Sequence, residues 1–334
     1  MNAENTAEVK TKKNFTKYIS RYGVYIIFLA AVIFFAVNNG NFFTLDNLLM
    51  ILQQASPLAI CGIGMTLVLI LAGTDISAGQ TMFFGATVAA MVSQALIAGG
   101  FPADNGFLLV ICLLCGVVVG AFVGAINGIL VGRFNIIPFI ATLATQNIMR
   151  GLALICSNSQ TINVPELATQ INVKLFGFFP MVILIALVLL VIFSIILRRY
   201  PYGRRLMAIG KDKMSAAKIG INVVSNTFVA YLICGIMAGI CGVILGAQTG
   251  GVPISLATGN EFIVISGCVL GGTSLFGGRG SIIPGAVVGI VMVQMVLNGL
   301  AMVNASPYIY IIVRGAIIFL AVMMDSINFK GELR

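Results

Sequence analysis

Four ionisable side chains stand inside stretches that are otherwise apolar: Asp75, Arg150, Glu261 and Arg314. Charge is costly in hydrocarbon, so each is a functional candidate by default. For Asp75 and Glu261 two readings fit: contact with a polar solute along a pathway or gate, or a helix cap or interfacial charge. For Arg150 and Arg314 the favoured role is structural, a pairing with a carboxylate or with helix-end carbonyls. Neutral hydrogen-bonding groups accompany them at Gln53, Gln54, Asn127, Asn147, Gln248, Asn260, Gln294 and Asn298. They suit a solute rich in hydroxyls better than an ion, or else they bond between helices. Materials for covalent or metal chemistry are scarce, because the chain has no histidine and its ten acidic residues are scattered. An enzyme is not expected, and no metal site.

Seven cysteines occur. All but Cys156 lie in apolar runs, where thiols act as small packing residues. Cys112 and Cys115 form a C-x-x-C, but with no second pair and no histidine the spacing merely puts both on one helix face.

The elements that carry these residues are set by hydropathy. The 334 residues are 59% hydrophobic and 9% charged, with mean hydropathy +1.07. A soluble domain cannot hide that much apolar surface. With a window of about 20 residues, the length that crosses a bilayer, about ten spans emerge. They cover roughly 22–37, 48–72, 79–98, 107–131, 136–156, 180–198, 227–249, 261–275, 283–303 and 308–325. The first and the eighth are short, so the range is eight to ten. The expected fold is therefore all-α, a polytopic membrane helix bundle. Residues 1–21 form a polar, basic tail, 22–325 one transmembrane domain, and 326–334 a C-terminal tail. No small-residue cleavage site follows the first run, which reads as a retained helix.

Charge orients the bundle. Arg198, Arg199, Arg204, Arg205, Lys211, Lys213 and Lys218 crowd into one loop, about 198–226. Positive charge beside a bilayer marks the cytoplasmic side, so this loop is read as a docking surface. Placing both termini inside puts every lysine and arginine in cytosolic segments except Lys174 and the two intramembrane arginines. The net charge of +9 is explained in this way, and not by nucleic acid, since the cations have no aromatic-interleaved basic face around them.

Three interruptions stand out: Pro57 in the second span, Gly73–Gly79 between the second and third, and Gly271–Gly280 between the eighth and ninth. Broken backbone at membrane depth must be buried in protein or line a wet cavity. The alternative is a pair of ordinary cytoplasmic turns. The second glycine-rich stretch lacks the Gly-Lys-Ser/Thr ending of a phosphate loop. An internal echo accompanies the breaks. Gly73-Thr74-Asp75 resembles Gly272-Thr273-Ser274, and Asn127-Gly128, Pro138-Phe139-Ile140 and Arg150-Gly151 return in order as Asn298-Gly299, Pro307-Tyr308-Ile309 and Arg314-Gly315. Two halves of opposite topology would build a central pathway. Pathway or gate candidates are thus Asp75, Ser77, Asn127, Glu261, Thr273, Ser274 and Asn298. Small residues spaced by four, Gly116/Gly120/Gly124 and Gly235/Gly239, let helices approach closely.

Taken together, Ile51-Leu52-Gln53-Gln54, Gly64-Met65-Thr66-Leu67-Val68, Gly73-x-Asp75-Ile76-Ser77-x-Gly79, Phe139-Ile140-Ala141-Thr142-Leu143, Gly203-Arg204, Ala208-Ile209-Gly210, Gly220-Ile221-Asn222-Val223 and Gly271-Gly272-Thr273-Ser274-Leu275 resemble the permease subunit of ribose- and galactose-type bacterial ABC sugar importers. The resemblance runs from about Phe42 to Asp325. It implies an inner-membrane subunit with no cofactor of its own, a cytoplasmic ATPase that uses ATP, a periplasmic sugar-binding protein, and a second permease subunit in a homodimer. It also implies ATPase coupling through residues about 211–220, with Asp212, Ser215, Ala216, Ala217 and Gly220 as the contacts. Two departures are visible. Where the family shows an acid followed by alanines, this chain has Lys213-Met214-Ser215-Ala216-Ala217, and where a second acid often follows Glu261, it has Ile263. An ion-coupled secondary carrier and a membrane scaffold are the competing classes.

Overall fold

The computed structural model describes residues 28–175 and 177–332. The expected tail at 1–21, the start of the first span and Arg334 lie outside the described residues. In chain order the helices are α1 (Phe28–Asn38), α2 (Leu45–Ile70), α3 (Ala78–Ala98), α4 (Phe107–Gly132), α5 (Pro138–Cys156), α6 (Pro165–Ile171) and α7 (Met181–Arg199). They continue with α8 (Pro201–Lys211), α9 (Lys213–Lys218), α10 (Val223–Thr249), α11 (Asn260–Leu270), a π-turn (Ile282–Ala286), α12 (Val287–Met302) and α13 (Pro307–Glu332). Two small antiparallel pairs complete the described chain, β1 (Ile162–Asn163) with β4 (Gly251–Val252) and β2 (Lys174–Leu175) with β3 (Phe179–Pro180).

Each of the ten expected spans holds a helix, and eight are long and apolar enough to cross a membrane. The differences are at the ends. Helix α11 has 11 residues and stops at Leu270, well short of the expected 275. At 1.5 Å per residue it covers about 16 Å, roughly half of a hydrocarbon core. Hydropathy averages over Gly271 and Gly272, where the backbone turns out of the helix. Helix α13 runs on to Glu332, through most of the stretch expected as a tail.

Pro57 does not interrupt α2, contrary to expectation. Proline removes one N–H, so the carbonyl of Gln53, four residues earlier, has no helical donor. The Gln248 side chain of α10 supplies one, Nε2 donating to the Gln53 carbonyl at 3.1 Å. An orphaned carbonyl at this depth is thus satisfied by a neighbour, and the helix continues.

Helix α10 is the centre of the bundle, packed against α2, α3 and α4. Its seam with α4 is made of glycine. A Cβ on Gly120, Gly235 or Gly239 would overlap a carbonyl oxygen of the facing helix. Without side chains in the way the two backbones touch, and dispersion replaces the hydrophobic drive that lipid cannot supply. Five of the seven cysteines are buried and all are free thiols. By contrast α5, α7 and α13 are largely exposed and carry bare apolar side chains such as Phe139, Leu187 and Phe319.

The two ends of the bundle differ in charge. At one end, α8 covers the close of α2 with α9 packed on α8 and α10, and there the Gly278 amide also donates to the Ile70 carbonyl at 2.9 Å. At the other end lie α6 and the small strand pairs. Helix α4 finishes at the α8–α9 end, with Gly132 beside the Val224 carbonyl. Helix α12 finishes at the opposite end, where the Met302 carbonyl accepts from Asn39 Nδ2 at 3.1 Å. The echoing pairs α4–α5 and α12–α13 therefore run in opposite senses, as the inverted arrangement requires, and proline opens the second helix of each.

Candidate functional site

The sequence candidates fall into three clusters. In the first, the segment between α2 and α3 turns back into the bundle and packs against the middle of α10. Asp75, 1% exposed, accepts from the Ser77 amide at 3.0 Å and the Ser77 hydroxyl at 2.6 Å. Asn127 of α4 donates to Ser77 Oγ at 2.8 Å and stands 3.5 Å from Asp75 Oδ1. Tyr231 of α10 donates to the Thr74 carbonyl at 3.3 Å, and Ile76 donates to Thr142 Oγ1 at 3.3 Å. The carboxylate folds the chain into an Asx turn just before α3, whose own N-cap residue, Ser77, makes no side-chain cap. Asp75 has no ion-pair partner among the described residues.

The second cluster lies between α5, α11 and α13. Glu261, in the first turn of α11 and 2% exposed, faces Gln146, whose Nε2 lies 3.5 Å from Oε1. Arg314 of α13 donates to the Thr258 carbonyl at 3.3 Å, in the turn just ahead of α11 and not at the end of a helix. The Glu261 carboxylate lies against Gly79, where a Cβ would force it to shift. Three polar atoms in this cluster lack partners: Glu261 Oε2, Gln146 Oε1 and Arg314 Nε. Buried polar atoms are normally satisfied, so three orphans together mark a place that something polar completes. Gln146 is a member that sequence reasoning missed. Its signal was its place one helical turn before Arg150 on α5.

The third cluster is the loop after α11. Asp325, the last residue of the tenth expected span, is 6% exposed and accepts from Leu275 N at 2.7 Å, Ser274 Oγ at 3.1 Å and Arg279 Nη2 at 3.2 Å. Thr273 is buried with its hydroxyl unpartnered. Asn298 is buried on α12 and joins none of the three clusters. Arg150 is half-buried on α5 and makes no hydrogen bond or ion pair among the described residues, so the expected pairing is not formed within this chain.

In the coupling segment Asp212 caps α9, accepting from Met214 N at 2.9 Å and Ser215 Oγ at 2.5 Å. Ala216 is 2% exposed and belongs to the hydrophobic core, so it is not free to seat in a partner. That corrects its place among the expected contacts, since small size predicted close approach but not direction. Ser215, Ala217 and Gly220 are exposed, and so are two apolar side chains that sequence reasoning passed over, Met214 at 72% and Ile219 at 75%.

No solved structure matches the chain. Among curated proteins, the ribose import permease protein RbsC of Escherichia coli (strain K12) is 31% identical over 330 residues, covering 96% of this chain and 98% of the relative. The D-allose transport system permease protein AlsC of the same strain is 31% identical over 330 residues, with 98% of each covered. The galactose/methyl galactoside import permease protein MglC, again from that strain, is 29% identical over 333 residues, with 96% and 98% covered. Matched over residues 47–322, the chain belongs to the permease family described as "Branched-chain amino acid transport system / permease component".

Proposed function

We propose that this permease is the membrane subunit of an ATP-driven importer that passes a ribose- or galactose-like monosaccharide from periplasm to cytoplasm by alternating access. The observation that carries the proposal is the near-full-length similarity to permeases for ribose, allose and galactose. The Gln146–Glu261–Arg314 cluster supports it, since its unpartnered atoms offer both acceptors and a donor, as sugar hydroxyls require. In this scheme Glu261 lines the pathway or its gate, while Asp75, Ser77 and Asn127 hold the broken segment behind it. Thr273, Ser274 and Asn298 serve nearer the cytoplasmic side and in α12.

The subunit itself does no covalent chemistry. ATP is hydrolysed by a separate cytoplasmic subunit that docks on α8 and α9, a periplasmic binding protein delivers the sugar, and a second copy of the permease completes the pathway. The apolar surfaces of α5 and α13 suit lipid or that second copy. Both termini are assigned to the cytoplasm of a bacterial inner membrane. Arg133, Arg279 and the α8–α9 cations share one end of the bundle while Lys174 stands at the other, the asymmetry of a positive cytoplasmic face.

The test is transport in proteoliposomes holding the permease, its ATPase and its binding protein. Uptake of ribose or galactose should require ATP and survive an ionophore. Collapse with the ion gradient while ATP persists would move the chain to the secondary carriers. A second substrate class is favoured by the family's description, and ATP-dependent uptake of leucine without sugar would establish it.

A further inference from the structure

The Gly271–Gly280 loop is held from two sides. On the α8 side the contact is backbone to backbone. The Gly278 amide donates to the Ile70 carbonyl at 2.9 Å, and a Cβ on Gly277 would stand 2.7 Å from the Gly210 carbonyl and 2.9 Å from the Ala72 nitrogen. Gly277 and Gly278 have φ of 82° and 76°, so glycine is needed for the turn as well as for the approach. On the α13 side the Asp325 carboxylate gathers the three donors of Leu275, Ser274 and Arg279. The loop also closes on itself, with Ser274 N donating to the Arg279 carbonyl and Phe276 N to Ser274 Oγ, each at 3.2 Å.

We propose that Asp325 is a positioning residue for energy coupling: it holds this loop as a stiff bridge between α8 and the α11–α13 part of the bundle. A transmitting element must be stiff at both of its ends. At α8 no flexible side chain intervenes between the backbones of Gly210 and Gly277. At α13 a buried carboxylate with charge-assisted hydrogen bonds supplies the second fixed point. The loop begins one residue after α11, and the backbones of Gly267 and Gly271 press on Gly289 and Gly285, so α11 and the start of α12 move with it. Displacement of α8 is thereby delivered to the helix that carries Glu261. The inference rests on the reading that α8 and α9 receive the ATPase.

The experiment uses the reconstituted complex with radiolabelled ribose, and compares Arg279→Gln, which removes the guanidinium from Asp325, and Asp325→Ala with the wild type. Three quantities are read: subunit yield, hydrolysis stimulated by the binding protein, and ribose moved per ATP. Arg279→Gln should keep yield and hydrolysis and lower ribose per ATP by about threefold, and Asp325→Ala should lower it by about tenfold, within the range of long-range coupling effects. A purely structural role would reduce transport and hydrolysis together and leave their ratio unchanged. An unchanged ratio in Arg279→Gln overturns the inference, even if Asp325→Ala proves too unstable to assay. A wild-type complex that moves no ribose on ATP defeats the functional reading first, and the inference falls with it.

Discussion

The two breaks that flank the working helices are built from similar sequence and stabilised in different ways. Between α2 and α3, Asp75 lies within the break itself and folds it through Ser77 two residues on, with Asn127 of α4 adding the tertiary contact. Between α11 and the π-turn, the carboxylate is supplied from α13, 46 to 51 residues away in the chain. The first break is a local turn that the surrounding helices bury. The second is a tertiary junction, whose shape depends on where α13 stands. A local turn suits a fixed support, whereas a junction can pass displacement between elements.

The strongest way to break that comparison is to remove each carboxylate. Asp75→Ala strands the Ser77 amide and the Ser77 hydroxyl inside the bundle, at about 1–3 kcal/mol for each buried donor left without its acceptor, while the Asn127 amide keeps Ser77 Oγ. Asp325→Ala also leaves donors without their acceptor, but one of the three, Arg279, is 37% exposed and can bond to water instead. Thermal unfolding of the purified subunit should therefore fall further for Asp75→Ala than for Asp325→Ala. Equal losses, or the reverse order, would mean that the first break is no better buried than the second.

Pro57 sharpens the contrast, because it should have been a third break and is not one. Gln248→Leu should destabilise the bundle by about 1 kcal/mol, the low end of the cost of an unsatisfied carbonyl, since this one is only partly buried. Pro57→Ala restores the missing N–H and should make the Gln248→Leu substitution nearly harmless, a coupling of about 1 kcal/mol in a double-mutant cycle. Additive effects would show that Gln248 does not relieve the Gln53 carbonyl.

What was legible in the sequence follows the range over which each signal acts. The spans, the glycine seam of α4 and α10, and the inverted echo are carried by periodicity and hydropathy, which local sequence records. The true end of α11 was missed because apolar averages ignore backbone turns at Gly271 and Gly272. Continuity through Pro57 depends on Gln248, nearly two hundred residues away, and Asp325 acquires its role only through the fold. Ala216 shows the same limit at short range: its size was legible, but whether its face turned inward depended on the packing of α9 against α8 and α10. For Asp75 the sequence left cap and pathway open; the structure shows an Asx turn on Ser77, which itself starts α3 without a side-chain cap.

The smallest effect belongs to Asp212, which forms nearly the same turn as Asp75 but in water. Its carboxyl is held below the ordinary carboxylate range, first by the Ser215 hydroxyl and then by the Met214 amide. A depressed folded-state value means that the cap's contribution is present above the unfolded value of about 3.9 and is lost as pH falls through the lower folded value. At neutral pH the cap is therefore fully formed, and it should open only in strong acid. Asp212→Ala should mimic that acid state at pH 7, with faster hydrogen exchange at the amides of α9 and none of the bundle-wide loss expected for Asp75→Ala. Exchange in α9 that is unchanged by both the substitution and acid would show that packing of Ala216, and not the Asp212 turn, sets the start of this helix.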